Sequence, residues 1–167
     1  MQVATLCALL VPFRELAPFV DDWRERTCVS KPSHGVPPHI TLLAPAPSDI
    51  DDTAAALSPF LPFDVSFRRL DRFPGTLWLA PEPPEPFIAM TEALMRQFPG
   101  YEPYGGVFES ITPHLTVAQG DDLDAAWAAL TSRLPLRTRV SSVVLFEHVA
   151  PDRWREAAEL TLAEADR

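Results

Sequence analysis

The sequence predicts an α+β fold made of two similar halves, packed as a single domain over residues 1–167. Three observations carry that expectation. First, a segment recurs: Val36-Pro-Pro-His-Ile-Thr-Leu-Leu-Ala-Pro resembles Ile111-Thr-Pro-His-Leu-Thr-Val-Ala-Gln-Gly, with the two histidines 75 residues apart. The same ungapped offset aligns Pro38 with Pro113, Thr41 with Thr116, Asp49 with Asp124, Val65 with Val140 and Leu70 with Leu145. Second, apolar spacing alternates between strand-like and helix-like in the same order in both halves. Third, no stretch has the composition of a linker between independent domains.

Each element follows from its own pattern. Residues 3–11 are apolar at nearly every position, as in a strand covered on both faces. Phe13, Leu16, Val20 and Trp23 then recur at helical spacing. A loop over residues 30–38 leads into a strand over 39–44. Asp49, Asp51 and Asp52 open a second helix, where carboxylates cap free N–H groups and complement the dipole. Ile50, Ala54, Leu57 and Leu61 form its apolar face. Phe63, Val65 and Phe67 alternate as a third strand running toward Leu70.

The second half starts after the Pro74-Gly75 turn with a short strand over 76–80. Pro81-Glu-Pro-Pro-Glu-Pro is too rich in proline for regular structure and delivers Pro86 to a helix start. Phe87, Met90, Leu94 and Phe98 mark that helix. A loop over 100–113 leads into a strand over 114–118. Leu123, Ala126, Trp127, Leu130 and Leu134 mark a fourth helix, with Asp121, Asp122 and Asp124 at its start. Two strands close the chain, over 138–147 and 154–162. In the latter, Trp154, Glu156, Ala158, Leu160 and Leu162 share one face.

Composition narrows the function. Apolar residues make up 47% of the chain, which places it among globular proteins. The apolar run at 3–11 is too short for a membrane span and lacks the flanks of a signal peptide, so it reads as a buried strand. Two cysteines, Cys7 and Cys28, are too few for a disulfide framework, and a reducing cytoplasmic setting is expected. A net charge of −9 argues against an extended nucleic-acid surface, which needs Lys and Arg to displace counterions. A nucleotide or an RNA end is still accessible to one local basic site. A monomer is expected.

The chemistry lies in the repeat. Residues i and i+2 of a strand share a face, so His39 lies beside Thr41 and His114 beside Thr116. If the halves are related by a pseudo-two-fold axis, the two polar faces meet in one cleft. Histidine's unperturbed pKa of about 6.5 lets one neutral and one protonated ring coexist near neutrality, as an acid–base pair requires. The threonine hydroxyls can donate to non-bridging phosphoryl oxygens. This scheme requires no metal and no cofactor. No third ligand stands at zinc spacing beside either histidine.

These residues, Pro-His-Ile-Thr-Leu-Leu and Thr-Pro-His-Leu-Thr-Val-Ala in duplicated β-α-β settings, resemble the two signatures of the 2H phosphoesterase superfamily. The similarity is greatest to its bacterial 2′-5′ RNA ligase-like, or cyclic phosphodiesterase, group, and it spans essentially the whole chain. The resemblance implies a bilobal α+β fold with antiparallel-rich sheets around a water-filled central cleft. It implies metal-independent hydrolysis of a 2′,3′-cyclic phosphate or a related small cyclic phosphodiester, and in some relatives 2′-5′ joining of RNA ends. It places catalysis on His39, Thr41, His114 and Thr116. Arg14, Lys31 and Tyr104 are the candidate substrate contacts, the first two for phosphate and the last for a base. So few basic residues favour a small or end-on substrate. A non-catalytic nucleotide- or RNA-end-binding module is the alternative from another class.

Overall fold

The computed structural model describes residues 5–103, 110–149 and 151–163. Its elements run β1 (Cys7–Pro12), α1 (Ala17–Thr27), β2 (His39–Ala46), α2 (Ile50–Leu57), β3 (Phe63–Phe73), β4 (Thr76–Glu82) and α3 (Glu85–Gln97). Then come β5 (Leu115–Gln119), α4 (Asp124–Thr131), β6 (Leu136–Val140), β7 (Ser142–His148) and β8 (Trp154–Thr161). Short 3-10 turns at Arg14–Leu16 and Pro32–His34 flank α1. Among the described residues, no helix is long and apolar enough to cross a membrane.

The eight strands form one sheet in the order β6-β3-β4-β5-β2-β1-β7-β8. Every pairing is antiparallel. β1 lies between β2 and β7, and its unbroken apolar run reflects burial on both sides. Cys7, Leu9 and Val11 join the main core, while Ala8 and Leu10 join a separate apolar cluster with Val144 and Phe146. The main core gathers the buried stripes of the helices, including Leu16 and Val20, Leu57, Phe87, Met90 and Leu94, and Ala126 and Leu130.

The strand expected over 138–147 is two strands. β6 lies at one end of the sheet beside β3, whereas β7 lies near the other end, between β1 and β8. Only Ser141 separates them. Consecutive Cα atoms are about 3.8 Å apart, so the two ends of the strand order must come within about 8 Å at this point. The sheet therefore curls. The third strands are also exchanged between the halves. β3 pairs with β4 and β6, both from the second half of the sequence, and β7 pairs with β1 from the first.

Two apolar patterns differ from expectation. In α2 the buried positions are Thr53 and Leu57, while Ala54 is exposed and Leu61 lies beyond the helix, exposed. Thr53 can be buried because its hydroxyl donates to the Asp49 carbonyl at 2.6 Å. Asp49 caps the helix, accepting from the Asp52 N–H at 3.0 Å, whereas α4 starts on Leu123 without a side-chain cap. In β8 a register shift pairs Leu145 with Ala158 but Phe146 with Glu156. The extra residue is a β-bulge, and it reverses which face the strand presents. Trp154 thus packs on the Ala8–Leu10–Phe146 cluster, while Ala158, Leu160 and Leu162 pack on the main core.

Candidate active site

The two recurring segments meet at the centre of the sheet. β2 and β5 pair antiparallel at Ile40 and Leu115, which are equivalent residues of the repeat. A local pseudo-two-fold axis therefore passes between them. Ile40 and Leu115 are fully buried in the main core. Alternation turns their neighbours to the opposite face, and extending the register by one residue sets His39 across from Thr116 and Thr41 across from His114. All four line one cleft of about 400 Å³, together with Arg24, Cys28 and Gln119. This arrangement juxtaposes two imidazoles and two hydroxyls.

Each histidine is oriented by its own backbone. His39 Nδ1 lies 2.8 Å from the Pro37 carbonyl, and His114 Nδ1 lies 2.7 Å from the Thr112 carbonyl. Pro37 and Thr112 are themselves related by the repeat offset. A carbonyl can only accept, so Nδ1 carries the proton in both rings. In the neutral form this leaves Nε2 as a proton acceptor, and in the charged form Nε2–H is an acid. Both rings are held toward the neutral form. Burial pushes His39 down to about 4, with the charges of Arg24 and His114 adding to the effect and the Pro37 bond opposing it. Burial also lowers His114, opposed by its bond to Thr112.

The loop before His39 is anchored by a residue that sequence reasoning missed. Arg24 is 1% exposed, in the last turn of α1. Its Nη2 donates to the carbonyls of Ser30 (3.0 Å), Val36 (2.9 Å) and Pro37 (3.1 Å), and its Nη1 pairs with Asp21 at 2.5 Å. The Pro37 oxygen thus accepts from both Arg24 and His39. A signal was available: Leu16, Val20 and Arg24 fall at i, i+4, i+8 on the stripe that α1 buries. Trp23, read as a stripe residue, is half-buried with the Arg26 guanidinium 4.2 Å from its ring centroid.

Across the cleft, Gln119 ties the end of α1 to β5. Its side-chain oxygen accepts from the Val29 N–H at 2.7 Å, and its own N–H donates to Thr27 Oγ1 at 3.2 Å. Cys28 is buried here, and that burial raises its pKa, which keeps it a thiol. His114 stands edge-to-face against Phe73 and Trp78, with ring centroids 5.1 Å and 5.8 Å away. Of the residues described as lining the cleft, only Arg24 carries a permanent charge. Among the described residues, no group of three or more His, Cys, Asp or Glu is placed to hold a metal ion.

The other sequence candidates fall elsewhere. Arg14 pairs with Glu156 at 2.8 Å and lines a neighbouring groove with Trp154 and Arg155, apart from the four motif side chains. Lys31 precedes the Pro32–His34 turn, where its carbonyl accepts from His34 and Val36, and it is not among the residues lining the cleft. Tyr104 lies outside the described residues.

Comparisons with known proteins agree with this architecture. The structure of E. coli LigT complexed with NADP+ superimposes with a TM-score of 0.60 at 16% identity, covering 98% of this chain and 100% of that one. LigT complexed with 3′-AMP gives 0.58 at 16%, covering 96% and 99%. The protein TT0787 of Thermus thermophilus gives 0.59 at 17%, covering 96% and 100%. At these identities the likeness concerns the fold. No curated protein matches the chain. The profile of the 2′-5′ RNA ligase superfamily matches residues 12–152, a span that holds both motifs and the strands from β2 to β7, and the chain belongs to that superfamily.

Proposed function

We propose that this protein hydrolyses a nucleoside 2′,3′-cyclic phosphate, or a related small cyclic phosphodiester, by two-histidine acid–base catalysis without a metal. The observation that supports it most is the convergence of His39, Thr41, His114 and Thr116 on one cleft, with both Nδ1 atoms committed to backbone carbonyls. One neutral Nε2 takes a proton from the attacking water as its oxygen bonds to phosphorus. The opposite Nε2–H gives its proton to the ribose oxygen as the P–O bond breaks. The product is a phosphomonoester, and the two rings have exchanged protonation states. Each transfer is worth roughly 10²–10⁴ in rate. The threonine hydroxyls donate to the non-bridging oxygens as charge builds there. The complexes of LigT with 3′-AMP and NADP+ favour a ligand of nucleotide size for this chain too.

Superfamily membership favours a second reading, 2′-5′ joining of RNA ends, in which a ribose 5′-hydroxyl takes the place of water, bonds to the phosphorus of the cyclic phosphate, and the 3′ P–O bond breaks. The test is a panel of 2′,3′-cyclic nucleotides assayed in EDTA, alongside RNA fragments carrying cyclic-phosphate and 5′-hydroxyl ends. Phosphomonoester release undiminished by EDTA is expected. Replacing His39 or His114 by Ala should lower it by at least about 10²-fold with an unchanged circular dichroism spectrum. Turnover retained in both variants would falsify the assignment, and joined product would establish the second reading.

A further inference from the structure

We propose that the cleft selects its ligand by charge: it holds the singly charged cyclic phosphodiester and expels the doubly charged phosphomonoester that hydrolysis yields. This rests on the cleft being the phosphate site, as inferred above.

The donors that face a ligand are neutral. Thr41 and Thr116 offer hydroxyls, and Gln119 offers its amide. The Gln119 oxygen accepts from the Val29 N–H at 2.7 Å, which fixes the orientation of the amide. Its NH2 group is left with no partner among the described residues. Among those residues, the charged or titratable groups lining the cleft are Arg24, Cys28, His39 and His114. Arg24 gives its donors to the protein rather than to a ligand. Its Nη2 reaches three carbonyls, its Nη1 pairs with Asp21, and the residue is 1% exposed. Burial keeps Cys28 a thiol and holds both imidazoles toward the neutral form. The segment before the second motif, Tyr104-Gly-Gly-Val-Phe-Glu, holds no Lys or Arg and so brings no cation to the cleft.

The reaction changes the charge of its own ligand. A cyclic diester carries one negative charge. Attack by water forms one P–O bond, breaks the bond to the ribose oxygen, and leaves a monoester with one proton and one charge on its phosphate. That proton has a pKa of about 6, so near neutrality it passes to solvent and the second charge appears. Taking a dianion out of water costs far more than taking a monoanion, and neutral donors offset only part of that cost. A fixed cation would retain the product. Without one, ionisation of the product drives its release.

The test compares, by calorimetry, 2′-deoxyadenosine 3′-monophosphate with its methyl ester. The ester stays singly charged and has no 2′-hydroxyl to attack phosphorus. Both ligands meet the same histidines, so the ratio of their affinities isolates the ligand's own proton. From pH 6 to pH 8 the monoester should lose about 50-fold in affinity relative to the ester. A flat ratio overturns the inference. Val29→Lys then adds a cation to the cleft wall. The Val29 side chain is 80% exposed, and its bond to Gln119 is made by the backbone. Twice the charge gains twice the Coulomb energy, so at pH 8 this variant should tighten the monoester about ten-fold and the ester about three-fold. Equal gains would mean that charge is not what separates the two ligands, and also overturn the inference. Charge selection in a protein that hydrolyses no cyclic ester would count against the cyclic phosphodiesterase reading and leave the inference standing. Turnover with a flat ratio would do the reverse.

Discussion

Arg24 joins two properties of His39 that are usually set by separate residues. Its guanidinium fixes the carbonyl that orients the ring, and its charge lies close enough to disfavour the imidazolium. In the free protein both histidines are shifted below 6.5, so both limbs of the kcat/KM profile should lie below that value. The sign follows from the shift. A base with a lowered pKa is already deprotonated at more acid pH, and an acid with a lowered pKa also loses its proton earlier. The limbs belong to the coupled pair rather than to single rings. In the bound complex a phosphate anion favours both imidazolium forms, so the kcat profile should move to higher pH. Arg24→Gln removes the charge and should move the acid limb of kcat/KM up toward 6.5. Arg24→Lys should keep that limb low while losing kcat, because one ammonium cannot hold both the carbonyls that Nη2 reaches and the Asp21 carboxylate that Nη1 reaches, as the planar guanidinium does. Profiles of the two variants that coincide would show that the charge plays no part. The histidines and threonines were legible because the motif repeats. Arg24 was not singled out because a charged residue on a buried stripe is understood only once its carbonyl partners, brought in by the loop at residues 30–37, are known.

The elements that shape the site depend on one close approach. Gly35 has φ of +87°, and a Cβ there would stand 2.4 Å from the Trp154 carbonyl oxygen. This contact docks the loop that carries the Pro37 carbonyl onto the start of β8. Gly75 has a similar φ of +75° but open space around it. Gly75→Ala should therefore lose only the left-handed backbone term, about 1–2 kcal/mol. Gly35→Ala should lose more than that, since the opposing atom is backbone and cannot rotate away. Urea unfolding of the two variants separates the effects, and equal losses would show that the loop moves aside freely. The order of strands and helices was legible from periodicity, with Phe87, Met90 and Leu94 as the plainest case. The bulge in β8 and the break at Ser141 were not. The break is set by partners distant in sequence, such as Phe63 for Val140 and Leu9 for Leu145, and the bulge by one residue of register between β7 and β8; neither leaves a local mark on alternation.

At the scale of the whole molecule, the exchange of third strands makes each half of the sequence depend on the other. A fragment of residues 1–74 would keep the β1–β2 pairing but lose β7 from beside β1, and β4 and β6 from both sides of β3. A fragment of residues 75–167 would keep β4–β5 and β7–β8 yet lack the strands that join them into a sheet. Each would expose much of a core that includes Val11, Phe67 and Leu145. We expect the intact chain to melt in a single cooperative transition and neither fragment to do so alone. Circular dichroism and amide spectra of the separate fragments provide the measurement. Mixing them should restore both the native spectrum and phosphoester turnover, because the junction at Ile40 and Leu115 draws one strand from each piece. A fragment that folds by itself, or an intact chain with two transitions, would mean that the halves are separate units. The motif side chains would then face each other across an interface able to open, rather than on one continuous sheet.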